Sequence, residues 1–79
     1  MPRSKLVIAS LVAQKFGQHL KKLRDKRKLS QYKLAAKIKM HPMMINHYEK
    51  GRRQPTLGSI IRLAEGLGVP PADLLKYEK

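Results

Sequence analysis

Six cationic side chains, Lys33, Lys37, Lys39, Lys50, Arg52 and Arg53, fall between residues 30 and 53, a stretch that holds a single carboxylate, Glu49. Among them lie Gln31, Asn46 and His47, whose planar groups donate and accept hydrogen bonds, and Met43, which offers an apolar tip. Cations at this density neutralise a polyanion, and amide or imidazole edges can pair with the edges of planar ligands. The same inventory is unsuited to bond-making chemistry. The chain has no cysteine, which removes disulfides, thiol nucleophiles and cysteine-zinc sites. His19, His41 and His47 lack ligand spacing, so neither a metal nor another cofactor is expected. The five carboxylates are dispersed, no glycine-rich phosphate loop is present, and no nucleophile stands at readable spacing from a base. The expectation is a binding protein, not an enzyme.

Charge sharpens this reading. Lys and Arg number eighteen against five Asp and Glu, a formal net charge of +13 on 79 residues. Residues 1–53 carry fifteen basic and two acidic side chains, whereas residues 54–79 carry three of each. One part of the chain therefore binds, and the other packs. The length suits one domain. Residues 6–13 are apolar apart from Ser10 and follow Arg3 and Lys5. That run is too short to span a bilayer, which needs about 20 apolar residues, and it lacks a small-residue cleavage pattern. A soluble cytoplasmic, nucleoid-associated protein with no membrane partner is expected.

The elements that must position these residues are helical. Phe16, Leu20 and Leu23 repeat at helical spacing and define a first helix ending near Lys28. Ser30 offers a cap to a second helix over residues 31–38, with Leu34, Ala35 and Ile38 as its apolar stripe. After residues 39–41, Pro42 suits the first position of a third helix, and it pushes His41 toward the extended conformation of a cap. Ile45 and Tyr48 are its inward pair, and Gly51 can close it. A basic loop follows over residues 52–55. Thr56 can cap a fourth helix carrying Ile60, Ile61, Ala64 and Leu67, with Gly68 as its stop, and Pro70 and Pro71 start a short fifth bearing Leu74 and Leu75. The expected fold is an all-α, compact five-helix domain over residues 16–79, preceded by an extension over residues 1–15. That extension either prolongs the first helix or pairs with another chain as a dimerising strand or helix.

Two short helices joined by three residues and followed by a basic loop make a helix-turn-helix arrangement. Leu29-Ser30-Gln31, Leu34-Ala35, Ile45, Tyr48-Glu49-Lys50-Gly51 and Pro55 stand at the spacings of the phage repressor and Cro-like (Xre) family. Leu63-Ala64, Leu67-Gly68-Val69 and Leu74-Leu75 are similar to its last two helices. The resemblance spans residues 16–75. It implies that the third helix enters the major groove of double-stranded DNA, with base-edge positions at Pro42, Met43 and His47 and with Met44, Asn46 and Lys50 beside them. Helix geometry alone points to a similar set: if Ile45 and Tyr48 face inward, Met43, Asn46, His47 and Lys50 lie on or beside the outward surface. Asn46 can pair with adenine, His47 can donate to guanine, and Met43 can touch a thymine methyl.

Phosphates are expected at Ser30 and Gln31, where the second helix begins, and at Lys33, Lys37, Lys39, Met44, Lys50, Arg52 and Arg53. Neutralising six of them implies a slope of about −5 for log K against log salt. The resemblance pairs Glu49 with Arg24 as an internal ion pair, and it places a homodimer surface around Leu74, Leu75 and Tyr77. Lys39 departs from the glycine frequent in the family's turn, and Pro42 and Met43 stand where polar readers are common, which shifts weight to DNA shape. The small regulators that the chain resembles include phage repressors, restriction-modification controllers and antitoxins. The expected function is a sequence-specific, autoregulating transcription factor with no small-molecule ligand. Two alternatives stay open here: an antitoxin-type protein with a toxin or transcription-machinery partner, to which Met43 and Met44 could contribute a patch, and a non-specific nucleic-acid binder.

Overall fold

The computed structural model describes residues 2–76, with side chains described from residue 11 onward. Four α-helices follow one another: α1 at Pro2–Lys26, α2 at Gln31–Lys37, α3 at Pro42–Glu49 and α4 at Leu57–Leu67. The segment expected as a fifth helix is instead a 3₁₀ turn, Pro71–Leu75. Its hydrogen bonds span three residues, from Asp73 N–H to Pro70 O at 2.9 Å and from Lys76 N–H to Asp73 O at 3.4 Å. Two prolines without N–H groups at its start, and only five residues in all, leave no room for a continued α-helical ladder.

The helix starts follow from local chemistry. The Ser30 hydroxyl accepts from Lys33 N–H at 3.0 Å, and Thr56 Oγ1 accepts from Ser59 N–H at 3.1 Å. His41 caps α3 by accepting Met43 N–H at Nδ1, 3.1 Å away, directly before Pro42. Helix α1 begins far earlier than the hydrophobic repeat from Phe16 suggested, because the backbone of the extension continues it as one helix from Pro2.

A single core joins every element. Phe16 and Leu20 of α1 meet Leu34, Ala35 and Ile38 of α2, Ile45 and Tyr48 of α3, and Leu63, Ala64 and Leu67 of α4. Leu74 of the 3₁₀ turn is wholly buried, at 0% exposure, so it completes the core of its own chain and does not face a partner as expected. Leu75 beside it is 55% exposed, and Tyr77 lies outside the described residues. Ile61 also departs from expectation. It is exposed, and Leu63 takes the buried position on α4. His19 ties α1 to the 3₁₀ turn by donating from Nε2 to Asp73 O at 2.6 Å.

The contact that fixes α3 against α1 depends on Gly17. A Cβ there would stand 2.2 Å from Tyr48 O and 2.5 Å from Glu49 O, so α1 rests on the backbone at the end of α3. No described helix is long and apolar enough to cross a membrane.

Candidate nucleic-acid interface

Helix α3 is short, and its two faces divide cleanly. Ile45 and Tyr48 are buried, while Met43 is 59% exposed and Asn46 and His47 are half-buried on the outer side. Pro42 occupies the first turn without sacrificing a donor. Around this helix the exposed cations Lys33, Lys37, Lys39, Lys50, Arg52 and Arg53 remain in solvent. His41, Met43, Met44, His47 and Arg53 line a shallow groove of about 380 Å³. Met44 is half-buried there, and its sulfur accepts from Arg53 Nη1 at 3.8 Å, which draws the guanidinium back along α3. The Nδ1 atom of His47 is buried and without a hydrogen-bond partner. Burying an unpaired N–H is costlier than leaving an acceptor bare, so a bare acceptor suits Nδ1 at this site.

Beneath the outer face runs a polar network. Arg24 donates from Nε to Glu49 Oε2 at 2.6 Å and from Nη2 to Glu49 Oε1 at 2.9 Å, a two-pronged pair between α1 and α3. Arg24 is only 8% exposed, and the Glu49 side chain only 3%. Its hydrogen bonds to the Glu49 carboxylate make Arg24 hold its proton more tightly than usual, against the opposing effect of burial. Arg24 Nη1 also donates to Leu29 O at 2.7 Å, which reaches into the connection before α2.

Gln31 and Asn46 belong to this network as well. Gln31 Nε2 donates to Glu49 Oε1 at 2.9 Å, and Asn46 Nδ2 donates to Gln31 Oε1 at 3.4 Å. Residues assigned separately to the ion pair, a phosphate and a base are thus one connected chain, Arg24 to Glu49 to Gln31 to Asn46. Sequence reasoning missed the link because Gln31 and Glu49 are eighteen residues apart. For Gln31 the consequence is specific. One amide hydrogen and the oxygen have internal partners, so an outward contact falls to its other amide hydrogen and to the backbone N–H at the start of α2. Ser30 is likewise engaged as cap. Among the described residues, no group of three or more His, Asp or Glu could hold a metal ion.

This geometry, a short capped helix presenting polar residues beside a preceding short helix, has counterparts among known proteins. A family model described as a helix-turn-helix, HTH_3, matches residues 20–74. The chain belongs to the HTH_3 family. Within it, the chain is 38% identical over 63 residues to control protein C.BamHI of Bacillus amyloliquefaciens, covering 78% of each protein. It is also similar to the crystal structure of the restriction-modification controller protein C.AhdI from Aeromonas hydrophila. There the TM-score is 0.77 and the identity 35%, over 78% of this chain and 94% of that one. An HTH_3 transcriptional regulator from Vibrio cholerae shares the fold at a TM-score of 0.80 and 24% identity, over 85% of this chain and 38% of that one. By family this HTH_3 chain is a DNA-binding transcription regulator and not an enzyme.

Proposed function

We propose that the chain is a sequence-specific regulator of the restriction-modification controller type, binding double-stranded DNA as a homodimer on an inverted repeat. The observation that carries this reading is the outer face of α3. Met43, Asn46 and His47 stand on a helix held from behind by the Arg24–Glu49 pair and bordered by exposed cations. In this reading α3 enters the major groove, and Pro42, Met43, Asn46 and His47 meet base edges. Ser30, Gln31, Lys33, Lys37, Lys39, Met44, Lys50, Arg52 and Arg53 meet the backbone. Two such helices reach half-sites about 34 Å apart.

The homodimer face of this reading combines Leu75 and its neighbours in the charge-balanced part of the chain with the end of the extension. Exposed Leu75 borders a hollow of about 120 Å³, lined also by Val12, Ala13, Phe16, Pro55 and Ile60 with Gln54 as its polar member. Leu11 and Val12, where the extension joins the domain, are exposed close by in sequence, which supports the extension as an arm of the same interface. In this reading the regulator also acts at an operator before its own gene.

Selection from randomised duplex DNA at about 0.15 M salt tests the reading under partial charge screening. Enrichment of an inverted repeat is the expected result. Tight, salt-dependent binding without enrichment would replace it with non-specific binding.

A further inference from the structure

The turn between α2 and α3 holds Lys39 in the left-handed region, at φ 54°. Met40 N–H reaches Ala35 O at 2.9 Å and Lys39 N–H reaches Ala36 O at 3.4 Å, which serves the carbonyls of the last turn of α2. Two carbonyls of the turn itself, those of Ile38 and Lys39, are served from elsewhere. Arg62 of α4 donates from Nη2 to both, with Lys39 O at 2.9 Å. One guanidinium nitrogen thus bridges successive carbonyls across 24 and 23 residues of chain, at the negative end of α2.

Gly66 stands one turn beyond Arg62 on the same face of α4. A Cβ at Gly66 would lie 2.7 Å from Ile38 Cγ2 and 2.7 Å from Leu34 Cδ1, so α2 is seated closely on α4 where Arg62 grips its end. The grip and the close seat act on the same segment. Residues 38–41 set the angle between α2, which begins at Gln31, and α3, which carries Asn46 and His47.

We propose that Arg62 is a positioning residue for DNA recognition: from α4 it holds the left-handed Lys39 turn closed, and so sets the angle at which α3 meets the duplex. This rests on the DNA-binding reading of α3. Arg62 acts here through the turn, without contacting DNA. Arginine suits the role because the two N–H bonds of Nη2 are held in the guanidinium plane, one for each carbonyl, whereas a lysine ammonium is a flexible point charge.

The test compares the wild type with Arg62→Ala, Arg62→Lys, Lys39→Gly and the Arg62→Ala, Lys39→Gly double variant. Its first readout needs no DNA. Amide hydrogen exchange at Met40, set against Leu63 in the core of α4, should quicken about tenfold in Arg62→Ala and Arg62→Lys. With Lys39→Gly already in place, Arg62→Ala should change it less than about twofold. The second readout is affinity for duplex DNA across a salt series. Arg62→Ala should weaken binding about tenfold at unchanged salt slope, and less than about twofold with Lys39→Gly present. Unchanged Met40 exchange overturns the proposal. So does equal weakening in both backgrounds with the slope reduced by about one, the mark of a phosphate contact. If the wild type ignores duplex DNA altogether, the recognition role falls with the DNA reading, and Met40 exchange by itself decides whether Arg62 holds the turn.

Discussion

Two of the four helices end on glycine and two on lysine, with one hydrogen-bonding pattern in common. At the end of α3, Arg52 N–H bonds His47 O at 2.9 Å and Gly51 N–H bonds Tyr48 O at 3.1 Å. At the end of α4, Val69 reaches Ala64 O at 3.0 Å and Gly68 reaches Glu65 O at 3.1 Å. The same pair of bonds closes α1 through Leu29 to Arg24 O at 3.2 Å and Lys28 to Asp25 O at 3.0 Å, and it closes α2 through Met40 and Lys39. The pivotal residue is left-handed in all four: φ 71° at Gly51, 70° at Gly68, and 54° at both Lys28 and Lys39.

The backbone motif is therefore indifferent to the side chain, and the difference lies in what surrounds it. Left-handed backbone costs a non-glycine residue about 1–2 kcal/mol. Each lysine end has an arginine donating to a carbonyl beside the pivot, Arg24 to Leu29 O and Arg62 to Lys39 O. Both lysines also place positive charge at the negative end of a helix, and both lie in the strongly basic part of the chain. Gly51 stands where no side chain fits, since a Cβ would come 2.8 Å from Gln14 Cγ and 2.9 Å from Gln14 Cα. Gly68 has open space around it, with nothing within 4 Å of a Cβ, so only its φ calls for glycine.

The comparison can be broken most severely at Glu49. Glu49→Ala strands the buried guanidinium of Arg24 and loosens the brace at the lysine end of α1, at about 3–5 kcal/mol. A chemical denaturation curve should show that loss, and normal melting with an altered base preference would contradict it. Gly51→Ala comes next, because left-handed strain is joined by overlap with α1, for about 2–4 kcal/mol in the same measurement. Gly68→Ala isolates the backbone contribution and should cost about 1 kcal/mol. Equal losses at Gly51 and Gly68 would show that the crowding at Gln14 is inconsequential. The smallest change sharpens the contrast in the other direction: Lys28→Gly should stabilise the domain by about 0.5 kcal/mol, the relief of strain being partly offset by the greater freedom of glycine in the unfolded chain.

Much of the domain was legible because its signals are local. Ser30, His41-Pro42 and Thr56 mark helix starts through atoms two or three residues away, and Ile45 with Tyr48 divides α3 into an inner and an outer face. The resemblance added the pairing of Arg24 with Glu49, which no local rule supplies. Less was readable where partners are distant. Ile61 looks as apolar as Leu63 on α4, and the turn at Pro71–Leu75 carries two leucines of which one is buried and one exposed. Their places depend on how the helices pack against one another and against the 3₁₀ turn, which His19 of α1 holds at Asp73.

The sequence by itself determined a basic, cysteine-free chain of short helices, where most of them begin, and which face of α3 looks outward. Those properties come from composition and from interactions within about one helical turn, which act before any long-range contact forms. Only the tertiary structure decided that Gln31 and Asn46 join the ion pair, that Leu74 serves the core, and that Arg62 reaches across from α4 to the Lys39 turn. Each of those arrangements joins residues far apart in sequence, and their side chains meet only after the helices have packed.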